Sequence, residues 1–236
     1  MDEKLIVKRI LGYSEKYRIE HYSKYDKNRI QQDSLEALNF LFSSVFYGGI
    51  GDDIATRERN IAFNYIRDSS LNKIFLEIKN NNSKESFVQR LKKLGVSNSK
   101  RGKMVYDILK WISKLEDNNC VNYSIDLIKS KKIVELYYLV KRIYFIGPKK
   151  TSLFLRDLVA FYDLKEFLLN DDYEYIVPID THINKFLSDM KLMKNQTDNY
   201  EIKRTIILEW CNRVNISPID FDKGVWYANK HDLKLL

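Results

Sequence analysis

Apolar positions recur at three- and four-residue steps along most of the chain, the spacing that lines one face of an α-helix. Leu35, Leu38, Phe42 and Val45 form one such stripe, with Asp33 or Ser34 before it as the capping residue. The run Gly48-Gly49-Ile50-Gly51 ends it. Arg57 to Arg67 and Leu71 to Ile78 read as two short helices, followed by the polar loop Asn80-Asn81-Asn82-Ser83. Phe87, Leu91 and Leu94 mark the next helix, capped by Gly95. Met104, Ile108, Trp111, Ile112 and Leu115 mark another, which begins in the basic stretch Lys100-Arg101-Gly102-Lys103. One or two more fill the interval from Ile125 to Ile143. Past a turn at Gly147 the pattern predicts helices from Lys149 to Phe161, from Asp180 through Met190, from Tyr200 to Arg213 and from Asp220 to His231. Eight glycines and three prolines in 236 residues are too few for a strand-rich fold, and there is no internal repeat or low-complexity linker. The expected fold is all-α.

Composition narrows the chemistry. Forty Lys+Arg against 32 Asp+Glu give a formal charge of +8, which favours a polyanionic partner. Cys120 and Cys211 are far apart and belong to no CxxC, so a disulfide framework, a zinc site and a cysteine-held iron–sulfur cluster are poorly supported. The start, Met1-Asp2-Glu3-Lys4, has no signal-peptide core, and no apolar run is long enough to span a membrane. The protein is expected to be cytoplasmic, of prokaryotic type, with no membrane partner and no metal.

One helix start is electrostatically backward. In Tyr144-Phe145-Ile146-Gly147-Pro148-Lys149-Lys150-Thr151-Ser152, two cations open the helix, where the dipole is already positive. Pro148 suits the first helical position, and Gly147 is expected to supply the free φ of a sharp turn. A lysine pressed against that dipole has a reason to lose its proton, and a neutral amine is a nucleophile. The N–H groups beside it would attract a phosphate. Further on, Val177-Pro178-Ile179-Asp180-Thr181-His182-Ile183 places a carboxylate at another helix start. Arg156, two turns beyond Lys149, returns to the same helix face, where it would repel the lysine's charge or bind a surface carboxylate.

These two segments, Ile146-Gly147-Pro148-Lys149 and Val177-Pro178-Ile179-Asp180-Thr181-His182, resemble the helix-hairpin-helix–Gly/Pro/Asp superfamily of DNA glycosylases. The wide interval between Lys149 and Asp180, together with Asp222 and Trp226 one turn apart, is most similar to its archaeal 8-oxoguanine glycosylase/lyase branch. The resemblance implies two helical subdomains with the hairpin at the cleft between them. An N-terminal helix in residues 1–30 would pack with a C-terminal subdomain, 161–236, and residues 31–160 would form the central one. It implies a bifunctional DNA glycosylase/AP lyase for an oxidised base such as 8-oxoguanine, monomeric and without a cofactor, acting on double-stranded DNA that contains a damaged base.

Lys149 would be the nucleophile and Asp180 the carboxylate that stabilises the sugar cation and helps deprotonate the lysine. Trp226, Asp222 and Gln31 would hold the base. The expected DNA contacts are Ile146, Gly147, Lys150, Thr151, His182, Arg101 and Lys103. Two positions depart from the family pattern. Phe145 replaces the first hairpin glycine, and Ile54 and Ala55 stand where the branch offers a stacking aromatic, which Tyr47, Phe63 or Tyr65 would then supply. Rival readings are a glycosylase/lyase for oxidised pyrimidines and a non-catalytic helix-hairpin-helix DNA-binding protein. Asp180 also has a plain reading as a helix cap, and Trp226 with Asp222 as a core residue beside a solvated carboxylate.

Overall fold

A computed structural model describes residues 2–47, 52–80, 84–193 and 199–235. The glycine run at 48–51 and most of the polar loop at 80–83 lie outside them. The described residues form helices and connections without a strand: α1 (Glu3–Tyr22), α2 (Lys27–Gln32), α3 (Ser34–Val45), α4 (Asp52–Ser69), α5 (Leu71–Lys79), α6 (Lys84–Leu94) and α7 (Ser99–Ile112). Then follow α8 (Cys120–Lys129), α9 (Ile133–Lys141), α10 (Pro148–Phe161), the short α11 (Tyr173–Ile176), α12 (Thr181–Asp189), α13 (Tyr200–Arg213) and α14 (Pro218–Lys230). Short polar side chains start many of them. Asp2, Asp26, Asp33, Asn98, Asn119, Asp180 and Asn199 each accept a hydrogen bond from an otherwise unpaired N–H of the first turn. Asp33, rather than Ser34, caps α3.

Two apolar clusters organise the molecule. The larger gathers α3 to α10 with Tyr17, Tyr22 and Ile30, and includes Phe40, Phe42, Met104, Ile108 and Phe154. The smaller joins the start of α1 to α12, α13 and α14 through Ile10, Ile183, Phe186, Trp210 and Phe221. Phe161, Leu164, Ile176 and Ile219 also belong to the larger cluster. Leu94, expected on the buried stripe of α6, is exposed; Phe87, Val88 and Leu91 carry that face.

Helix α1 lies along α14, and Gly224 permits the approach. A Cβ there would stand 2.2 Å from the Ile10 carbonyl oxygen, a clash no rotamer can relieve. Through that contact Asp222 and Trp226 of α14 are set beside Tyr17 and His21 of α1. This packing positions one wall of the site.

Candidate active site

The turn between α9 and α10 is built differently from the sequence expectation. Gly147 is extended, with φ −90° and ψ −178°, and the left-handed residue is Phe145, at φ 64°. A non-glycine side chain therefore occupies a conformation that costs about 1 kcal/mol or more. Lys150 compensates. Its Nζ donates to the Phe145 carbonyl at 3.2 Å and lies 4.2 Å from the centre of the Phe145 ring. Burial lowers the Lys150 pKa to about 8, with the charges of Arg101 and Lys149 adding to the effect. Gly147 itself has nothing within 4 Å of a built Cβ, so the space outside the turn is open.

Several of the residues expected to contact DNA are engaged within the protein itself. Lys150 is buried against Phe145 rather than presented to a phosphate. Ile146 is buried in the larger cluster, and its N–H already bonds to the Ile143 carbonyl. Thr151 is fully buried and returns its hydroxyl to the Gly147 carbonyl at 3.1 Å. Arg101 is 1% exposed and paired with Glu58 at 2.8 Å, which also accepts from Ser97. Gly147 is exposed, and Lys103 and His182 are half-buried.

Lys149 points the other way from Lys150. Its Nζ stands 3.8 Å from Asp180 Oδ2, beyond hydrogen-bond range but within an ion-pair contact. The lysine side chain is 36% exposed and the aspartate 4%. The two Asp180 oxygens divide their work. Oδ1 caps α12, accepting from the N–H of His182 at 2.9 Å and of Ile183 at 3.0 Å, while Oδ2 faces the amine. Capping fixes the carboxylate without consuming the oxygen that meets Lys149.

A cavity of about 490 Å³ has Leu153, one turn after Lys149 on α10, in its wall, while Lys149 and Asp180 themselves do not line it. Tyr17 and His21 of α1, Phe40 of α3, Asp157 of α10 and Trp226 of α14 also line it. The volume suits a small aromatic ligand. Trp226 meets Tyr17, His21 and His182 edge-on at 5.4, 5.1 and 6.1 Å, and Lys230 Nζ sits 4.7 Å over its ring. Burial depresses the His21 pKa to about 4, so the imidazole is neutral near pH 7. Of the three aromatics considered for the second stacking position, Tyr47 lines this cavity. Ile54 is exposed and Ala55 is buried.

Asp222 and Gln31 stand outside the lining of this cavity. Asp222 is 2% exposed, does not line the cavity and pairs with Arg156. Burial pushes its carboxyl up to about 7; the Arg156 guanidinium pulls it down and the Asp180 charge raises it further. Arg156 is likewise buried, so it binds no surface carboxylate. It donates to Asp157 Oδ1 at 2.7 and 3.0 Å and to the Tyr17 hydroxyl at 2.6 Å. Gln31 is exposed on α2, and its carbonyl accepts from Asn119, the cap of α8, and from Asn122 within that helix, outside the cavity lining. His21 and Asp157 were not anticipated. Their only sequence signal was the i, i+4 spacing of Tyr17 and His21, which α1 shares with any amphipathic helix.

Among the described residues no cluster of His, Cys, Asp and Glu is arranged to hold a metal ion, and no helix is long and apolar enough to cross a membrane. No protein-family model, characterised protein or solved structure matches the chain.

Proposed function

We propose that the protein is a DNA glycosylase with lyase activity that removes an oxidised base of the 8-oxoguanine class from duplex DNA. The observation that carries this reading is the Lys149–Asp180 pair, a half-exposed amine 3.8 Å from a fixed carboxylate, with Leu153 of the same helix and Trp226, which meets His182, in the wall of an aromatic cavity. In this reading α9, the turn at Phe145–Gly147 and α10 are a helix-hairpin-helix that receives the DNA backbone at the open space outside Gly147. The two apolar clusters are its two helical subdomains. The damaged nucleotide leaves the stack and its base enters the cavity, with Trp226 as a wall.

The chemistry asks little beyond these groups. The Lys149 nitrogen bonds to C1′ as the base departs with the glycosidic electron pair, taking up a proton. Asp180 stabilises the positive charge that develops on the sugar and receives the proton lost by the amine. Opening of the sugar ring, with O4′ taking up a proton from water, gives a Schiff base; a C2′ proton then passes to water as the 3′ phosphate leaves by β-elimination. No cofactor enters these steps, and one chain supplies every group named.

Borohydride reduction of the wild-type protein on duplexes carrying 8-oxoguanine, oxidised pyrimidines or an abasic site tests the reading. A covalent adduct with the 8-oxoguanine duplex, with release of the base, is the expected result. Adducts confined to oxidised pyrimidines would reassign the substrate. Duplex binding without an adduct on any lesion would leave a non-catalytic DNA-binding protein and overturn the enzyme reading.

A further inference from the structure

Between α11 and α12 the chain runs through Val177, Pro178 and Ile179 to Asp180, and all four residues are buried. A buried segment outside any helix has carbonyls that must find partners elsewhere. Proline removes a donor from the same stretch. Two side chains of α13 meet the need. Arg204 donates through Nε to the Val177 carbonyl at 3.2 Å, and the Tyr200 hydroxyl donates to the Ile179 carbonyl. The spacings agree. Two residues of extended chain advance roughly 6.5 Å and return a carbonyl to the same side. Side chains one turn apart on a helix stand roughly 5–6 Å apart. Tyr200 and Arg204 have that separation, so one face of α13 grips the strap on both sides of Pro178.

Arg204 is a costly residue for this place. It is 9% exposed, has no carboxylate partner among the described residues, and buries its second terminal nitrogen, Nη2, without a hydrogen bond. A buried unpaired donor is destabilising, and an apolar side chain of similar length would avoid the penalty. The hydrogen bond to the strap is what such a replacement would lose. The Tyr200 hydroxyl is kept protonated by burial and by the Asp180 charge, with Arg204 acting in the opposite sense, so it remains a donor.

We propose that Tyr200 and Arg204 are positioning residues for Asp180: they fix the strap that sets where its carboxylate meets Lys149. The catalytic consequence rests on the glycosylase/lyase reading, while the positioning itself does not. Three full-length variants, Tyr200→Phe, Arg204→Met and Arg204→Lys, separate position from folding. Tyr200→Phe removes a single hydroxyl and keeps the ring, so it remains informative where Arg204→Met unfolds.

Two measurements are needed. Amide hydrogen exchange at His182 and Ile183, the N–H groups that Asp180 caps, reports its position directly. The single-turnover rate of 8-oxoguanine excision, with duplex affinity measured alongside, reports the consequence. Tyr200→Phe is expected to speed exchange at both amides relative to the other helices. It should slow excision about ten- to a hundredfold at unchanged affinity. Arg204→Lys, which still carries a donor, should retain more rate than Arg204→Met. Unchanged exchange at His182 and Ile183 in Tyr200→Phe overturns the proposal, as does a rate loss matched by an equal loss of affinity. A wild-type protein that excises no lesion refutes the functional reading alone, because the exchange comparison still decides the positioning.

Discussion

Lys149 and Arg156 stand two turns apart on α10, each facing a carboxylate from the C-terminal helices, yet the two contacts differ in almost every physical respect. Arg156 is sealed in. It bonds to Asp157, Asp222 and Tyr17, while Asp157 also accepts from Tyr22 at 3.0 Å and Ser44 at 3.3 Å. That cluster ties α1, α3, α10 and α14 together with its polar groups largely satisfied. Lys149 is left open. Its one ion-pair partner among the described residues lies 3.8 Å away, and a third of its side chain meets solvent. A group whose hydrogen bonds are saturated holds helices together, whereas a loosely partnered one remains free to react.

Three substitutions and two titrations break or sharpen this contrast. The largest effect belongs to Lys149→Gln, which should abolish the borohydride-trapped adduct while leaving duplex affinity and melting temperature near wild type. A half-exposed ion pair contributes only about 0–1 kcal/mol to stability. Survival of the adduct would transfer the nucleophile to another residue. Asp180→Asn comes next, with turnover expected to fall about 10²–10⁴-fold. Asparagine caps a helix as well as aspartate, so melting should hardly change and the loss reads as chemistry.

At the closed end the order of effects reverses. Arg156→Met leaves Asp157 and Asp222 buried without their cation and should cost about 3–5 kcal/mol of stability, read by denaturant unfolding. A cost near zero would mean that the cluster is not sealed. The smallest effects are pH slopes of opposite sign. In the unfolded chain Asp222 sheds its proton near its ordinary value of 3.8, whereas the folded protein keeps it up to about 7. The native state binds the extra proton over that interval, so the Asp222 contribution falls as pH rises through it. His21 does the reverse. Its folded value near 4 lies below the ordinary 6.5, so its contribution is lost as pH falls from about 6.5 to about 4. The two contributions oppose each other between about pH 4 and 6.5, so relative to wild type the unfolding free energy of Asp222→Asn should climb more steeply with pH and that of His21→Gln less steeply.

Much of the helical framework was legible because the apolar period and the Asp/Asn caps are local signals. The stripe at Leu35–Val45, the helix from Tyr200 to Arg213 and the α10 start at Pro148 all follow from neighbours in the chain. Lys149 and Asp180 were legible for a related reason: each stands at a helix start whose residues say what the first turn needs. The pocket was harder to read. Asp222 and Trp226 share a spacing that predicts one face, yet α14 is packed so closely that Asp222 turns to Arg156 while Trp226 remains at the cavity wall. Sequence spacing cannot distinguish those outcomes, because the difference lies in what α1 and α10 present to α14.

The sequence alone determined an all-helical chain, a basic surface balance, two lysines at one helix start and a carboxylate at another. Tertiary structure decided which lysine is open and which is buried. Phe145 takes the left-handed turn expected of a glycine, its carbonyl and ring capture Lys150, and Lys149 is left facing Asp180. Adjacent lysines have the same intrinsic chemistry. Burial of Lys150 comes from the backbone conformation of nearby Phe145 and from Met104 of α7, and the outlook of Lys149 from distant Asp180, and neither that conformation nor those distant partners are encoded in the local pattern.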